Sequence, residues 1–166
     1  MLAERERHRR DGGGPQDRRP AVRRGARRER AVLRGVSGNA GVFSDINDMA
    51  LFARMLARGW EGFLSPGTFR MATSCQTGAM APRRGLGFLL SGTPGGFFGE
   101  RMPADSFGHT GFPGTSLAVD PHTGFFAVLL SNRIHPSRDN ERLFPFRRAF
   151  HDALYAEYVR GHLQKR

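Results

Sequence analysis

The chain has 166 residues, enough for one ordinary domain, and a formal net charge of +11, of which residues 1–34 carry +7. Its single cysteine, Cys75, excludes an intrachain disulfide and a zinc site built from cysteines. No apolar run approaches the roughly 18 residues that a membrane span needs, so we expect no transmembrane segment.

Residues 1–31 alternate arginine with acidic residues, glycine and proline, and contain few large apolar side chains. Such a segment buries too little surface to offset the entropy lost on ordering, which predicts a disordered Arg-rich tail. An alternative is an arm that binds anionic polymers such as nucleic acid. The segment has no aromatic side chain to stack on bases, so we disfavour a nucleic-acid partner. It also lacks the apolar stretch of a secretory signal.

Order is expected to begin near Val32, with a glycine-punctuated turn over 35–44. Ser44 is the predicted N-cap of a helix over 45–58, and Gly59 its stop. Apolar residues at three- and four-residue spacing predict the buried stripe of this helix: Ile46, Met49, Phe52, Ala53 and Leu56.

A second, shorter helix is predicted from Pro66, capped by Ser65, to about Ala72. Residues 85–90 favour a strand, and 91–105 a long Gly-rich loop. The C-terminal helix is predicted over 146–160, followed by a tail over 161–166. Its predicted buried face contains Phe146, Ala149, Phe150, Ala153, Leu154 and Tyr158.

A β-hairpin is predicted between these helices. Residues 115–119 alternate small or polar with apolar side chains, and 125–130 form an apolar run typical of a strand buried on both faces. Residues 120–124 carry turn chemistry, with a carboxylate acceptor, a proline and a glycine. The element order predicts an α+β fold, an antiparallel sheet flanked by helices. We assign the six phenylalanines 43, 52, 125, 126, 146 and 150 to its core.

The segment just before the hairpin, GHTGFPGT at 108–115, combines glycines and a proline with an ionisable and a hydroxyl side chain. One interpretation is a Gly-rich strand entrance that exposes His109. The other is a backbone that approaches a ligand closely and presents His109 and Thr110 to it. Composition alone favours the first interpretation. A zinc site formed by His109, His122 and His135 is disfavoured by their wide spacing.

Three stretches together, GNAGVFS at 38–44, GHTGFPGTS at 108–116 and LSNR at 130–133, resemble the C-terminal half of serine β-lactamases and penicillin-binding proteins. The branch of class C-like esterases and D-alanyl-D-alanine carboxypeptidases is the most similar. The resemblance covers about 31–160 and leaves the Arg-rich tail outside. It implies a β-lactamase-like domain over 32–160 and a family that often works in the periplasm or outside the cell. The sequence has no Walker loop and no dinucleotide fingerprint, and its histidines disfavour a metal site, so we expect no cofactor or metal.

The resemblance also implies a substrate groove for a small molecule or peptide. A His-Thr-Gly strand lines that groove in the family, and it maps onto His109, Thr110 and Gly111. His109 and Thr110 would then contact a substrate carboxylate, Gly111 would let the acyl chain lie against the strand, and the N–H of Phe112 would donate to the oxyanion.

The family's two other motifs have no counterpart here. The only lysine is Lys165, so no Ser-x-x-Lys exists, and neither Tyr155 nor Tyr158 begins a Tyr-x-Asn motif. Residues 37–39 match Ser-x-Asn, but at a place that corresponds to a structural turn in the family. We therefore expect a fragment of a serine hydrolase that has no catalytic residue and is inactive alone, with an incomplete sheet and an uncovered edge at 125–130. The alternative is a non-catalytic binding module whose Arg-rich tail contacts anionic polymers.

Overall fold

The computed structural model describes residues 41–163. The elements given below all lie within residues 44–163, in one compact unit of the chain. The predicted Arg-rich tail, the Ser-x-Asn match at 37–39 and Lys165 lie outside the described residues.

Three helices and a four-stranded antiparallel sheet make up the described fold, which confirms the predicted α+β class. The helices are α1 (Ile46–Ala57), α2 (Pro66–Thr73) and α3 (Leu143–Leu163), and the strands are β1 (Leu89–Leu90), β2 (Phe107–Thr110), β3 (Ser116–Val119) and β4 (Phe126–Leu129). The strands lie in the sheet in chain order, β1-β2-β3-β4. None of the helices of the described part is long and apolar enough to cross a membrane.

Helix α1 begins at Ile46, one residue later than predicted. Asp45, and not Ser44, is the N-cap: its Oδ1 accepts from the N–H groups of Asn47 and Asp48, at 2.8 and 3.0 Å. A carboxylate also suits the positive end of the helix dipole better than a hydroxyl does. The predicted stop is confirmed, since Gly59 has φ +81° directly after the C-cap.

Removing this cap should lower the free energy of unfolding by about 1 kcal/mol in Asp45→Ala, because two backbone donors lose their acceptor. The matched control is Ser44→Ala, which removes only a 3.4 Å contact between the Ser44 hydroxyl and Asp45 O and should leave stability almost unchanged. Urea denaturation of both variants measures the difference. Equal losses in the two variants would contradict the assignment of the cap.

The prediction of one strand over 85–90 is wrong for most of its length, since only Leu89 and Leu90 form β1. Two glycines turn the chain back before β1. The N–H of Gly85 donates to Phe88 O, Gly87 has φ +83°, and Arg84 forms an isolated bridge with Leu89. These features make a tight turn where the apolar residues alone predict extended backbone.

The hairpin is confirmed, with Ser116 opposite Leu129 and Val119 opposite Phe126. The strand buried on both faces is β3, whose four residues are all buried, and not the apolar run of β4. Strand β4 lies at the end of the described sheet, so its backbone has a neighbour on one side only. Position in the sheet therefore decides burial here more than the apolar run does.

The core lies on both faces of the sheet and consists of two clusters. Successive residues of β3 belong alternately to one cluster and to the other. Leu117 and Val119 pack with residues of α1 and α2, while Ala118 packs with residues of α3 and of the 91–106 loop. This division follows from the alternation of side chains along a strand. The two clusters of buried residues are Ala53, Leu56, Phe69, Leu90, Phe107, Leu117 and Val119, and Phe97, Phe98, Met102, Ala118, Phe125, Ala127 and Tyr155.

Helix α3 is three residues longer at each end than predicted, and its buried face was wrongly predicted. The residues that it buries are Arg147, His151 and Tyr155, whereas Phe146 is 56% exposed and Leu154 40% exposed. The core assignment also fails for Phe43 and Phe52, which are 52% and 37% exposed, and holds for Phe125. The predicted face of α3 is wrong because the side of β3 that faces the helix carries polar side chains.

These partners form a polar seam between α3 and β3, made of Arg147, His151 and Tyr155 from the helix and Ser116 and Asp120 from the strand and its turn. Ser116 Oγ lies 3.0 Å from His151 Nε2, and the Tyr155 hydroxyl donates to Asp120 Oδ2 over 2.9 Å. Ser116 and Asp120 have the same parity along the chain as Ala118, so they point to the same face of the sheet. A helix that packs on this face must therefore present hydrogen-bonding side chains rather than apolar ones.

Candidate functional site

The predicted site residues His109 and Thr110 lie at the end of β2, on a stretch with a free flank. Strand β2 pairs with β3 along its whole length, with Thr110 opposite Ser116. On its other side β1 pairs only with Phe107 and Gly108. Within residues 41–163 no strand therefore lies beside His109 and Thr110 on that flank. His109 is exposed and Thr110 half-buried, so a ligand can reach both.

The imidazole of His109 is oriented by its own strand. Its Nδ1 lies 2.9 Å from the carbonyl oxygen of Thr110, so Nδ1–H is the donor of that bond. This arrangement leaves Nε2 for a ligand. It accepts a hydrogen bond in the neutral ring and donates one in the protonated ring.

A tight loop follows β2 and fixes Gly111. The Gly111 N–H donates to Thr115 O over 2.8 Å, and the Gly114 N–H donates to Gly111 O over 2.9 Å. A Cβ on Gly111 would lie 2.2 Å from Thr115 Oγ1, and Gly114 has φ +110°. The loop therefore requires glycine at 114, whereas a side chain at 111 would have to displace the Thr115 hydroxyl. The exposed side chain of Phe112 stands at its tip.

Arg133 joins this loop to the segment after β4. Its backbone N–H donates to Pro113 O over 2.7 Å, and its Nε donates to Phe112 O over 3.2 Å. The guanidinium carbon lies 5.2 Å from the centre of the Phe112 ring, within the range of a cation–π contact. The position of the loop backbone thus depends on an arginine from another part of the chain.

An open surface cavity of about 390 Å³ is lined by Arg133, the residue that contacts the loop. Its lining contains two arginines, two asparagines and the buried hydroxyl of Ser131, and no carboxylate. The lining residues are Ser131, Asn132, Arg133, Asn140, Arg142, Leu143 and Phe146. Guanidinium and amide donors with no competing acid suit an anionic ligand, a carboxylate above all.

Sequence reasoning missed the pair formed by Ser116 and His151. A serine within hydrogen-bond distance of a histidine is the arrangement of an activated nucleophile. Here Ser116 is 4% exposed and His151 is not exposed at all, so no substrate reaches the hydroxyl. Burial, followed by the charge of Arg147, lowers the pKa of His151 to about 4. The ring is therefore neutral at pH 7, and the pair is a buried contact of the polar seam.

The three histidines considered for zinc do not come together. His122 lies in the β3–β4 turn, at the opposite end of the sheet from His109, and its ring contacts the carboxylate of Asp105. This hydrogen bond and the charge of Asp105 raise the pKa of His122. In the described part of the chain no three histidine, cysteine or acidic side chains lie close enough to hold a metal ion.

The comparisons with known proteins agree on one family. The family model for Beta-lactamase matches residues 2–151. The match also takes in most of the Arg-rich segment, which the three motif stretches leave outside. A Salmonella typhi protein that is named as a D-alanyl-D-alanine carboxypeptidase is 35% identical over 118 residues, which are 67% of this chain and 27% of the relative. The protein of the same name from Salmonella newport gives the same values.

Among solved structures, a beta-lactamase from Mycobacterium bovis superposes with a TM-score of 0.60 at 27% identity. The superposition covers 72% of this chain and 46% of that protein. The chain thus spans about a quarter of the length of the curated relatives that it matches.

Proposed function

Because this chain belongs to the Beta-lactamase family, we propose that His109, Thr110, Gly111 and Phe112 line a groove that binds the acyl group and carboxylate of a β-lactam, a D-alanyl-D-alanine peptide or a related ester. The observation that carries the proposal is the free flank of β2 at His109 and Thr110. An extended ligand can lie beside this stretch, with an imidazole and a hydroxyl next to its polar groups.

The charge around the loop supports a carboxylate-bearing ligand in particular. Arg133 and Arg142 line the cavity beside the loop, and no acid lines it. Protonated His109 and the Thr110 hydroxyl would add two donors from the strand. In this proposal the N–H of Phe112 donates to the oxyanion that develops when the acyl carbonyl is attacked. The relatives named D-alanyl-D-alanine carboxypeptidase make a peptide with a free C-terminus the first ligand to test.

We further propose that this chain binds such ligands without forming an acyl-enzyme. Acyl transfer through serine needs a hydroxyl with an adjacent base. The 166 residues contain no Ser-x-x-Lys motif, and the serine that lies beside a histidine in the described structure, Ser116, is buried. The catalytic serine and its base would come from sequence outside this chain.

Binding is tested by titrating the ¹⁵N-labelled full chain with an N-acetylated D-alanyl-D-alanine peptide. Amide signals of residues 109–112 should shift, and Thr110→Val should weaken binding about ten- to a hundred-fold, the value of one hydrogen bond to a charged group. The matched ligand with a C-terminal carboxamide should bind at least ten-fold more weakly, because it lacks the anion.

His162→Ala provides the protein control, since this exposed histidine lies at the far end of α3, where it contacts Tyr158. Its affinity should equal that of the wild type, whereas His109→Ala should bind more weakly. The proposal would be overturned if the amide signals of residues 109–112 did not shift, or if the peptides with a free carboxylate and with a C-terminal carboxamide bound equally well.

Acylation is tested separately by incubating the chain with benzylpenicillin and recording its intact mass. We expect the mass of the unmodified chain only. A mass increase equal to one penicillin would show that the chain does form an acyl-enzyme, and peptide mapping would then identify the serine.

A further inference from the structure

We propose that His151 is a positioning residue for the groove, holding the strand end at Ser116 so that Thr110 and Gly111 keep the geometry that a ligand requires. The inference rests on the proposed function, because it assigns a role at the same groove. His151 itself is not exposed, so a ligand in the groove would not touch it.

Helix α3 and strand β3 are joined by a hydrogen bond between two side chains. His151 Nε2 lies 3.0 Å from Ser116 Oγ, and both side chains are buried. The ring contacts the buried Phe97, whose ring centre lies 5.6 Å away, and the half-buried Phe150, the adjacent residue on α3, at 5.3 Å. In such surroundings neither partner has water as a substitute, so the hydrogen bond is directional and costly to lose.

The β2–β3 ladder connects Ser116 to the groove. Ser116 lies directly opposite Thr110 in the β2–β3 ladder, and its neighbour Thr115 accepts the Gly111 N–H over 2.8 Å. A shift of Ser116 along the helix therefore moves both groove residues. Apolar packing tolerates such sliding, whereas a hydrogen bond between two fixed elements does not.

Arg147 adds a second contact from the same face of α3, one turn before His151. Its Nη1 lies 3.5 Å from Thr115 O, the oxygen that also accepts from Gly111. The guanidinium carbon lies 5.7 Å from the Phe97 ring centre and 5.8 Å from that of Phe144. The contact to Thr115 is long, so we assign the main positioning role to His151.

Only one nitrogen of His151 is used, and this makes the role testable. Nδ1 is buried without a hydrogen-bond partner in the described structure, while Nε2 faces Ser116. The terminal amide of glutamine can occupy the place of Nε2 and restore the bond. Leucine has a similar volume and cannot. His151→Gln and His151→Leu thus separate the hydrogen bond from the packing.

The readout is amide hydrogen exchange of the ¹⁵N-labelled full chain without ligand. In His151→Leu the Gly111 amide should exchange about ten-fold faster relative to the amides of Ala53 and Leu56 in α1, whereas His151→Gln should stay within about two-fold of the wild type. Peptide affinity should fall five- to ten-fold in the leucine variant and recover in the glutamine variant.

Equal effects of leucine and glutamine, or faster exchange spread evenly over α1 and the groove, would overturn the inference in favour of a merely structural histidine. If His151→Leu does not fold, Ser116→Ala removes the same hydrogen bond by deleting one oxygen and must show the same local change at Gly111. The two proposals fail separately. If the Gly111 amide exchanges faster in His151→Leu as expected but the wild-type chain binds no peptide, the proposed function alone is refuted.

Discussion

Replacing Gly108 by alanine should lower the free energy of unfolding by about 3 kcal/mol or more, because the new methyl group has no space between β2 and β3. A Cβ at this position would lie 1.9 Å from Leu117 O, 2.9 Å from Leu117 C and 3.0 Å from Ala118 Cα. All three are backbone atoms, which cannot rotate away as a side chain does. Gly108 also pairs with Leu89 of β1, so the strand has a neighbour on its other side as well.

The matched control is Gly67→Ala in α2, where the nearest atom to a new Cβ is Ser65 Oγ at 3.9 Å. Alanine there should be neutral or stabilise the helix by up to about 1 kcal/mol. Urea denaturation followed by circular dichroism measures both variants. The Gly108→Ala chain should also bind the D-alanyl-D-alanine peptide less well, since His109 and Thr110 follow directly on the displaced strand. A change in stability within about 0.5 kcal/mol would contradict the clash.

The elements that could be predicted from the sequence are those fixed by their own residues. Ser65 accepts the Thr68 N–H and begins α2 as predicted, and Gly59 ends α1. The turn over 120–124 formed as its carboxylate and glycine indicate, with Gly124 at φ +72°. In each case the hydrogen bond or dihedral angle that decides the structure involves residues a few positions apart.

The face of α3 could not be predicted, because its partners are distant in the chain. Apolar periodicity assigns Phe146 and Leu154 to the interior, on the assumption that the opposite layer is apolar. The opposite layer instead presents Ser116 and Asp120, about 35 positions away, and these select His151 and Tyr155. No local pattern shows such a choice, since a buried polar residue is identified only by its partner.

The candidate site shows the same division. Periodicity predicts no strand at β2, which is four residues long and contains Gly108. The glycine-rich composition of 108–115 singles out His109 and Thr110, and the resemblance to a family motif then favours a ligand site over an exposed strand entrance. The loop residue that Arg133 holds, Phe112, was identified in the same way. His151 and the arginines beside the loop were missed, because their relation to the groove exists only after the chain has folded.

Asp120→Ala should lower the free energy of unfolding by about 3–5 kcal/mol, since it removes the acceptor of three hydrogen bonds in a buried place. Asp120 is not exposed, and its carboxylate accepts from the Thr123 hydroxyl at 2.6 Å, the His122 N–H at 2.9 Å and the Tyr155 hydroxyl at 2.9 Å. The variant leaves the buried Tyr155 hydroxyl without its acceptor. Tyr155→Phe removes one of the three bonds and should cost only about 1–2 kcal/mol.

The pH dependence distinguishes the carboxylate from the packing around it. Burial acts to raise the pKa of Asp120, but the hydrogen bonds from Thr123, His122 and Tyr155 together hold this pKa below its ordinary value. The stability that Asp120 supplies is therefore complete above pH about 4 and is lost as the pH falls through the lower pKa of the folded state. The gap in stability between the wild type and Asp120→Ala should stay constant from pH 8 to pH 5 and narrow in stronger acid.

Asp105→Ala serves as the control for charge at the same turn, because Asp105 contacts His122 from a half-exposed position. Its loss of stability should be much smaller than that of Asp120→Ala, since water replaces most of what an exposed ion pair supplies. A gap between wild type and Asp120→Ala that persists unchanged into strong acid would show that the side chain acts through its volume. A gap that narrows shows that the ionised carboxylate joins α3 to the hairpin turn, at the end of the sheet opposite the groove.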